Sequence, residues 1–350
     1  MPLPFATPEL PGVAALFKAV PEDFRVDEIP AYLPFGEGSH LFLLVEKRGK
    51  NTREVAAAIA KALGVRERDT GIAGQKDRHA VTTQWLSVEG VDPSRAIGLS
   101  GDGFRILEAK LHRNKLRLGH LRGNRFQIRL RGVDEPGVEQ VRTIAAALEV
   151  RGMPNYYGPQ RFGRRGDNAE VGRLILQGSD DPRVRRAQRD PRMRRFLVSA
   201  FQSEVFNRVL AARLEDRSWD DPRPGDVIEK LASGGLFVCS EPAVDRERVQ
   251  RFECSITGPL PGSRIDPAVQ GEPAALEAHL LAEAGVTAEQ LRGSADARGA
   301  RRALRLPIHL EIDVDHEGLL LRFELPPGAY ATAVLRELTK SAVAQELDAI

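Results

Sequence analysis

The spacing of apolar and polar positions changes several times along this chain, and each change marks an element. After Asn51-Thr52, the apolar residues Val55, Ile59 and Leu63 recur every fourth position and end at Gly64. That spacing predicts an amphipathic helix with a polar N-cap and a glycine just past its end. The β-branched and aromatic run from Val81 to Val88, and the segments 104–111 and 124–131, read as strands. In the last of these, Phe126, Ile128 and Leu130 alternate with Arg125, Gln127, Arg129 and Arg131, so one face is apolar and the other basic. Residues 135–151 read as a helix that stops before Pro154.

Beyond Pro154 the texture changes. As far as about Ala300 there are few strand patterns, an arginine-rich stretch at 183–195, and a helix predicted to start at Ser199 with Gln202 completing a capping box. Low-complexity Ala/Arg/Gly sequence closes this region at 293–303. Strand patterns then return at 308–314 and 319–325 around His316-Glu317-Gly318, a hairpin signal, and an amphipathic helix is predicted over about 330–347. An α+β texture that is interrupted by a mostly helical middle and then resumes is the pattern of an insertion, with the outer segments sharing one sheet. No internal repeat is visible.

The 42% apolar and 29% charged content is that of a globular protein, and 350 residues suffice for a sizeable core. No apolar run approaches the ~18–20 residues that span a membrane. The N-terminal residues lack the basic and apolar regions of a signal peptide. Cys239 and Cys254 form neither a disulfide framework nor a zinc spacing. A cytoplasmic, membrane-free monomer with no obligate protein partner is expected.

The net charge of +2 conceals an asymmetry. Residues 101–200 carry 22 Lys and Arg against 11 Asp and Glu, whereas the other 250 carry 29 against 38. An arginine-rich window in an acidic remainder is the footprint of one phosphate-binding face, because a guanidinium fork grips two oxygens at once. Arg185, Arg186, Arg194 and Arg195 are the candidates for RNA backbone contacts, together with the basic face of 124–131. The competing reading is a solvated helix face.

The most informative stretch is 71–86. Gly71 and Gly74 lead into Lys76-Asp77-Arg78-His79, and the strand from Val81 follows. Asp77 is thus expected at a strand end among cations, which favour its ionised form and suit it to act as a nucleophile or an anchor. This wording resembles the active-site signature of the TruD family of tRNA pseudouridine synthases. Further matches follow in family order: Pro21-Glu22-Asp23-Phe24, Gly36-Glu37-Gly38-x-His40, Lys115-Leu116-Arg117-Leu118-Gly119 and Gly123-Asn124-x-Phe126. Pro154-Asn155-Tyr156-Tyr157-Gly158-x-Gln160-Arg161-Phe162-Gly163 and Leu325-Pro326-x-Gly328-x-x-Ala331-Thr332 complete them, so the resemblance covers nearly the whole chain.

The resemblance implies a mixed-sheet pseudouridine synthase core of residues 1–153 and 305–350, with an inserted, mostly helical α/β domain over 154–304. It implies Asp77 as the catalytic nucleophile, substrate-pocket roles for Phe24, Asn124 and Tyr330, and tRNA as partner, modified at uridine 13 of the D-arm. At the position of Tyr330 the relatives often have Phe. Pseudouridine formation is an isomerisation, so no cofactor or metal is expected; the sequence has no phosphate-binding glycine loop and no metal-ligand spacing. A flipped base needs ring faces to lie against, and Phe24, Phe126, Tyr156, Tyr157, Phe162 and Tyr330 all sit inside the matched motifs. Lys18, Lys76, Arg78 and Arg336 are the candidate cationic partners of Asp77, with Lys18 and Lys76 favoured because they lie in matched segments. His79 is a candidate base for the C5 proton or, more simply, a hydrogen-bonding residue. The alternatives to an isomerase are a non-catalytic tRNA-binding module or RNA chaperone on the same fold, and a nucleoside hydrolase. The last typically needs a second carboxylate, and none stands out beside Asp77.

Overall fold

A computed structural model describes residues 3–341. Packing divides the chain into two compact units, one of Val13–Arg142 and His309–Ala329, the other of Met1–Gly12, Thr143–Ile308 and Tyr330–Ile350.

The first unit is built on a nine-stranded mixed sheet. Its strands are β1 (Phe24–Pro30), β2 (His40–Lys47), β3 (Gly71–Ile72), β4 (Val81–Glu89), β5 (Ser100–Gly101), β6 (Phe104–His112) and β7 (Leu121–Leu130), joined by β14 (Glu311–Asp315) and β15 (Gly318–Leu325). The order is β14-β15-β7-β1-β4-β2-β6-β5, with β3 paired on β4. β1 and β4 run parallel, and β1 and β7 antiparallel. Helix α1 (Thr52–Leu63) is the one the spacing predicts. Asn51 caps it and shares a capping box with Glu54, and Gly64 takes the left-handed conformation after its end. Its buried residues Val55, Ile59 and Leu63 join Leu41, Leu43, Val45, Leu86 and Ile106 in one core. On the other face of the sheet, Phe42, Trp85, Ala73 and Leu116 form a second cluster.

The predicted strand over 308–314 begins later, at Glu311, because Ile308 and Leu310 are buried outside the ladder. The arginines of the face read over 124–131 also depart from expectation. Arg125 pairs with Glu324, Arg129 with Asp315 and Glu317, and Arg131 with Asp23. The face read as basic is therefore neutralised by carboxylates that come from other parts of the same sheet unit.

In the second unit, α3 (Asn168–Leu176), α4 (Pro182–Ala187) and α5 (Pro191–Glu215) pack around Val171, Ile175, Val184, Val198, Phe201 and Val205. Helix α5 begins eight residues before the predicted Ser199. Asp190 caps it by accepting the Arg192 and Met193 N–H groups, and Pro191 supplies a preset first turn. Ser199 lies inside this helix, where its hydroxyl bonds Phe196 O, and Gln202 bonds Pro261 O and Arg298 O instead of capping.

The region read as poor in strands carries a four-stranded sheet, β10 (Leu236–Val238), β9 (Val227–Lys230), β11 (Cys254–Leu260) and β12 (Ala300–Ala303). β11 is buried along six consecutive residues, so it shows no alternation. β12 hides in the low-complexity segment because Arg301 is buried against Glu277 and Thr257. The pair β8 (Met153–Pro154) and β13 (Arg305–Leu306), and the helices α6 (Pro242–Gln250), α7 (Gly271–Glu283) and α8 (Ala288–Arg292), belong to the same unit. Helix α2 (Glu135–Arg151) spans the division between the units, and α9 (Ala331–Thr339) ends with Lys340 in the left-handed region. The predicted continuation over 342–347 lies outside the described residues. Cys239 and Cys254 are both free and buried.

Candidate active site

Asp77 sits in the loop between β3 and β4, and that loop is fastened before it reaches Asp77. Gly71 runs so close to Leu116 O and Ser87 Oγ that no side chain fits there. Lys76 is then locked from both ends. Its ammonium donates to Glu28 Oε2 at 2.7 Å, with side chains only 4% and 1% exposed, and its backbone N–H donates to Thr52 Oγ1. The other Glu28 oxygen accepts the Trp85 N–H.

With Lys76 turned inward, Asp77 is left to other partners. Its Oδ2 accepts from Lys18 Nζ at 2.7 Å, and its Oδ1 accepts the His79 N–H at 2.9 Å. Its backbone oxygen accepts from Lys47 Nζ at 2.5 Å. Burial by itself would push the Asp77 carboxyl up; the Lys18 charge and hydrogen bond, the His79 N–H and the nearby His79 ring outweigh it and hold the group below its ordinary value. Burial brings the Lys47 ammonium down to about 8, against the pull of the Asp77 charge. Lys18 occupies the left-handed region with φ 55°, an uncommon conformation for a non-glycine residue, and its ammonium lies 4.4 Å from the Phe24 ring centroid.

Of the four candidate cations, Lys18 is the one that pairs with Asp77. Lys76 neutralises Glu28, and Arg78 donates to Gly49 O. Arg336 belongs to the other unit, where it lies over the Phe5 ring and donates to Pro4 O.

The β1–β7 register brings the remaining sheet-unit candidates onto one face. Asn124 stands opposite Glu28, Phe126 opposite Val26, and Ile128 opposite Phe24. Phe24 meets Phe126 edge-on at 6.3 Å, and Phe126 stacks on Phe323 at 5.3 Å. Asn124 Oδ1 is buried with no hydrogen-bond partner. A buried acceptor left open among ring faces is an unfilled demand for a donor.

Tyr330 precedes α9 in the other unit. It meets Tyr157 edge-on at 5.8 Å, and Tyr157 lies under the guanidinium groups of Arg302 at 4.3 Å and Arg161 at 5.5 Å. Arg185, Arg186 and Arg195 are exposed on α4 and α5, whereas Arg194 is paired with Asp296 at 2.8 Å.

Glu28 and Lys47 escaped the sequence reading, although a signal was present. Glu28 continues the buried alternation Phe24, Val26, and Lys47 continues Leu41, Leu43, Val45. A charge in the core phase of a strand requires a partner inside the protein. Among the described residues no three His, Cys, Asp or Glu side chains converge as a metal site would need, and no helix is long and apolar enough to cross a membrane.

The chain matches the family tRNA pseudouridine synthase D (TruD) over residues 5–187 and 181–338. It is 50% identical over 339 residues to a tRNA pseudouridine synthase D of an Anaeromyxobacter species, an alignment covering 97% of this chain and 96% of that one. A relative of the same name from Thermus thermophilus is 42% identical over 349 residues, covering 99% of this chain and 94% of that one. A crystal structure assigned to the same family, from Methanosarcina mazei, superposes with a TM-score of 0.77 at 23% identity, covering 97% and 96% of the two chains, and confirms the mixed-sheet α+β fold. With a likeness that spans nearly the whole chain, this protein belongs to the TruD family of tRNA pseudouridine synthases.

Proposed function

We propose that this protein isomerises uridine 13 in the D-arm of tRNA to pseudouridine, with Asp77 as the nucleophile. The observation that carries this reading is the Lys18–Asp77 pair, which keeps a largely enclosed carboxylate anionic beside the Phe24 ring. The uridine leaves its stack and its C1′ meets the Asp77 carboxylate as the C1′–N1 bond breaks. The freed uracil rotates, C5 bonds to C1′ as the Asp77–C1′ bond breaks and returns the free carboxylate, and the C5 proton is lost while N1 gains one, so atoms and charge balance without a cofactor. Asn124 Oδ1 supplies the acceptor for the uracil N3–H, and Phe24 supplies a ring face. Residues 1–153 and 305–350 do the chemistry, and the segment 154–304 grips the RNA through Arg185, Arg186 and Arg195. The reaction takes place in the cytoplasm, on a monomer.

The decisive experiment uses an unmodified tRNA transcript under single-turnover conditions with saturating enzyme. Asp77→Asn should bind tRNA within about a factor of ten of wild type (~1.4 kcal/mol) and form no pseudouridine, because an amide lacks both the charge and the basicity to attack C1′. A uridine-to-cytidine change at position 13 should abolish modification by the wild type. Product at near wild-type rate from the Asn variant would place the nucleophile elsewhere. An abasic site would indicate a hydrolase, and unaltered RNA with wild-type protein would indicate a binding module.

A further inference from the structure

Two of the signature segments, Gly36-Glu37-Gly38-x-His40 and Lys115-Leu116-Arg117-Leu118-Gly119, supply no side chain to the site just described. They converge at the other end of β1, about 20 Å from Phe24 at ~3.3 Å per strand residue. There they line a cavity of about 650 Å³ on the sheet face opposite α1. Its size lies within the ~300–1,000 Å³ range of ligand sites.

The lining is chemically distinctive. His40 and His112 stand opposite each other across β2 and β6, and the Nδ1 atom of each is buried without a hydrogen-bond partner. His112, only 2% exposed, is stacked between Tyr32 at 5.0 Å and Phe35 at 4.8 Å, with the ring planes within 15° and 18° of parallel. The stack ends at Phe35, which is 67% exposed. Tyr32 is fixed at its far end by a 2.6 Å hydrogen bond between its hydroxyl and His120 Nδ1. Lys115 and Arg117 stand at the cavity wall, and Arg117 is exposed. His112 is kept below its ordinary pKa by burial, and then by His40 and Arg113, so the stack carries little charge of its own.

A rigid ring stack that ends in an open aromatic face satisfies no need of the fold. Neither do two buried ring nitrogens without partners. Although three histidines line the cavity, they do not converge as metal ligands. A ring face, polar groups for a base edge and adjacent cations are the three elements by which proteins hold an unstacked nucleotide. We propose that this cavity is a second RNA subsite that takes an unpaired nucleotide of the tRNA other than the target uridine. The base lies against Phe35 with its polar edge toward the His40 and His112 rings, and its phosphate meets Arg117 and Lys115. This proposal rests on the reading that tRNA is the substrate.

Phe35→Ala and Arg117→Gln change exposed residues and should leave thermal unfolding unaltered. Phe35→Ala should weaken tRNA binding about tenfold, the scale of removing one base–aromatic stack. Arg117→Gln should weaken it several-fold and lower the log–log salt slope by roughly one unit. Single-turnover rates at saturating enzyme should stay within twofold of wild type, since neither residue touches the Asp77 site. In imidazole NMR spectra, the His40 and His112 signals should move on addition of tRNA and stay in place with equimolar UMP or AMP. Wild-type affinity in both variants, or histidine signals that move with mononucleotides and not with tRNA, would overturn the proposal; the latter would mark a site for free nucleotides. If the wild type modifies no uridine and yet Phe35→Ala weakens tRNA binding, the catalytic reading fails while this one stands.

Discussion

Lys76–Glu28 and Lys18–Asp77 are both lysine–carboxylate pairs at 2.7 Å, drawn from neighbouring residues of one loop, yet they do opposite work. The first is closed. Its side chains are almost wholly buried, and the second Glu28 oxygen is taken by a backbone N–H. The second pair is open, with the Asp77 side chain 29% exposed. A closed pair can only hold; an open one can exchange a partner for a substrate atom. With Lys76 pinned to Glu28, the loop puts a closed pair and an open one on adjacent residues.

The sharpest way to break this contrast is Glu28→Gln. It strands a buried Lys76 ammonium, which costs about 3–5 kcal/mol in comparable sites, and a large fall in the thermal midpoint is expected. Asp77→Asn should lower the midpoint far less. Equal losses in calorimetry would mean that both pairs are structural.

Next in size is Lys18→Gln, read as a pH profile. With Lys18 present, the folded Asp77 pKa lies below its unfolded value. The pair therefore contributes stability above the unfolded value, and that contribution is lost as pH falls through the lower folded one. Without Lys18, burial dominates and the pKa rises, so the same carboxylate destabilises the fold above its new value. The acid limb of the single-turnover rate should shift to higher pH by one unit or more, with the neutral-pH rate reduced. An unmoved limb would show that Lys18 does not set the ionisation of Asp77.

The smallest effect separates the arginines. Arg185, Arg186 and Arg195→Gln together should flatten the salt dependence of tRNA binding by roughly one log–log unit for each phosphate that is no longer neutralised, with little change in the chemical step. Arg194→Gln alone should change the slope less, because that guanidinium already faces Asp296. An unchanged slope in the triple variant would make α4 and α5 a solvated surface.

Much of the sheet unit was legible because its signals are local. The Asn51 cap, the four-residue spacing of α1, the β-branched run of β4 and the alternation in β7 each depend on a few neighbouring residues, and the elements formed close to where they were predicted. The 71–86 signature likewise singled out Asp77 and placed the chain in its family. Other elements were hidden for physical reasons. β11 is buried on both faces and has no alternation to read, and Asp190-Pro191 starts α5 ahead of the weaker signal at Ser199.

What the sequence determined by itself was the family, through its motifs, and the local elements that carry them. Which charges meet was decided only by the tertiary structure. Four cations were candidates for Asp77 until β1 placed Glu28 under Lys76 and left Lys18 to pair with Asp77. The arginines over 124–131 looked like an RNA face until β14, β15 and Asp23 brought carboxylates to them. The physical reason is common to both cases. A helix cap or a strand alternation is settled within one or two turns of chain, whereas an ion pair depends on distance in space and on exclusion of water. Residues 18 and 77, or 125 and 324, acquire that proximity only when the sheet closes.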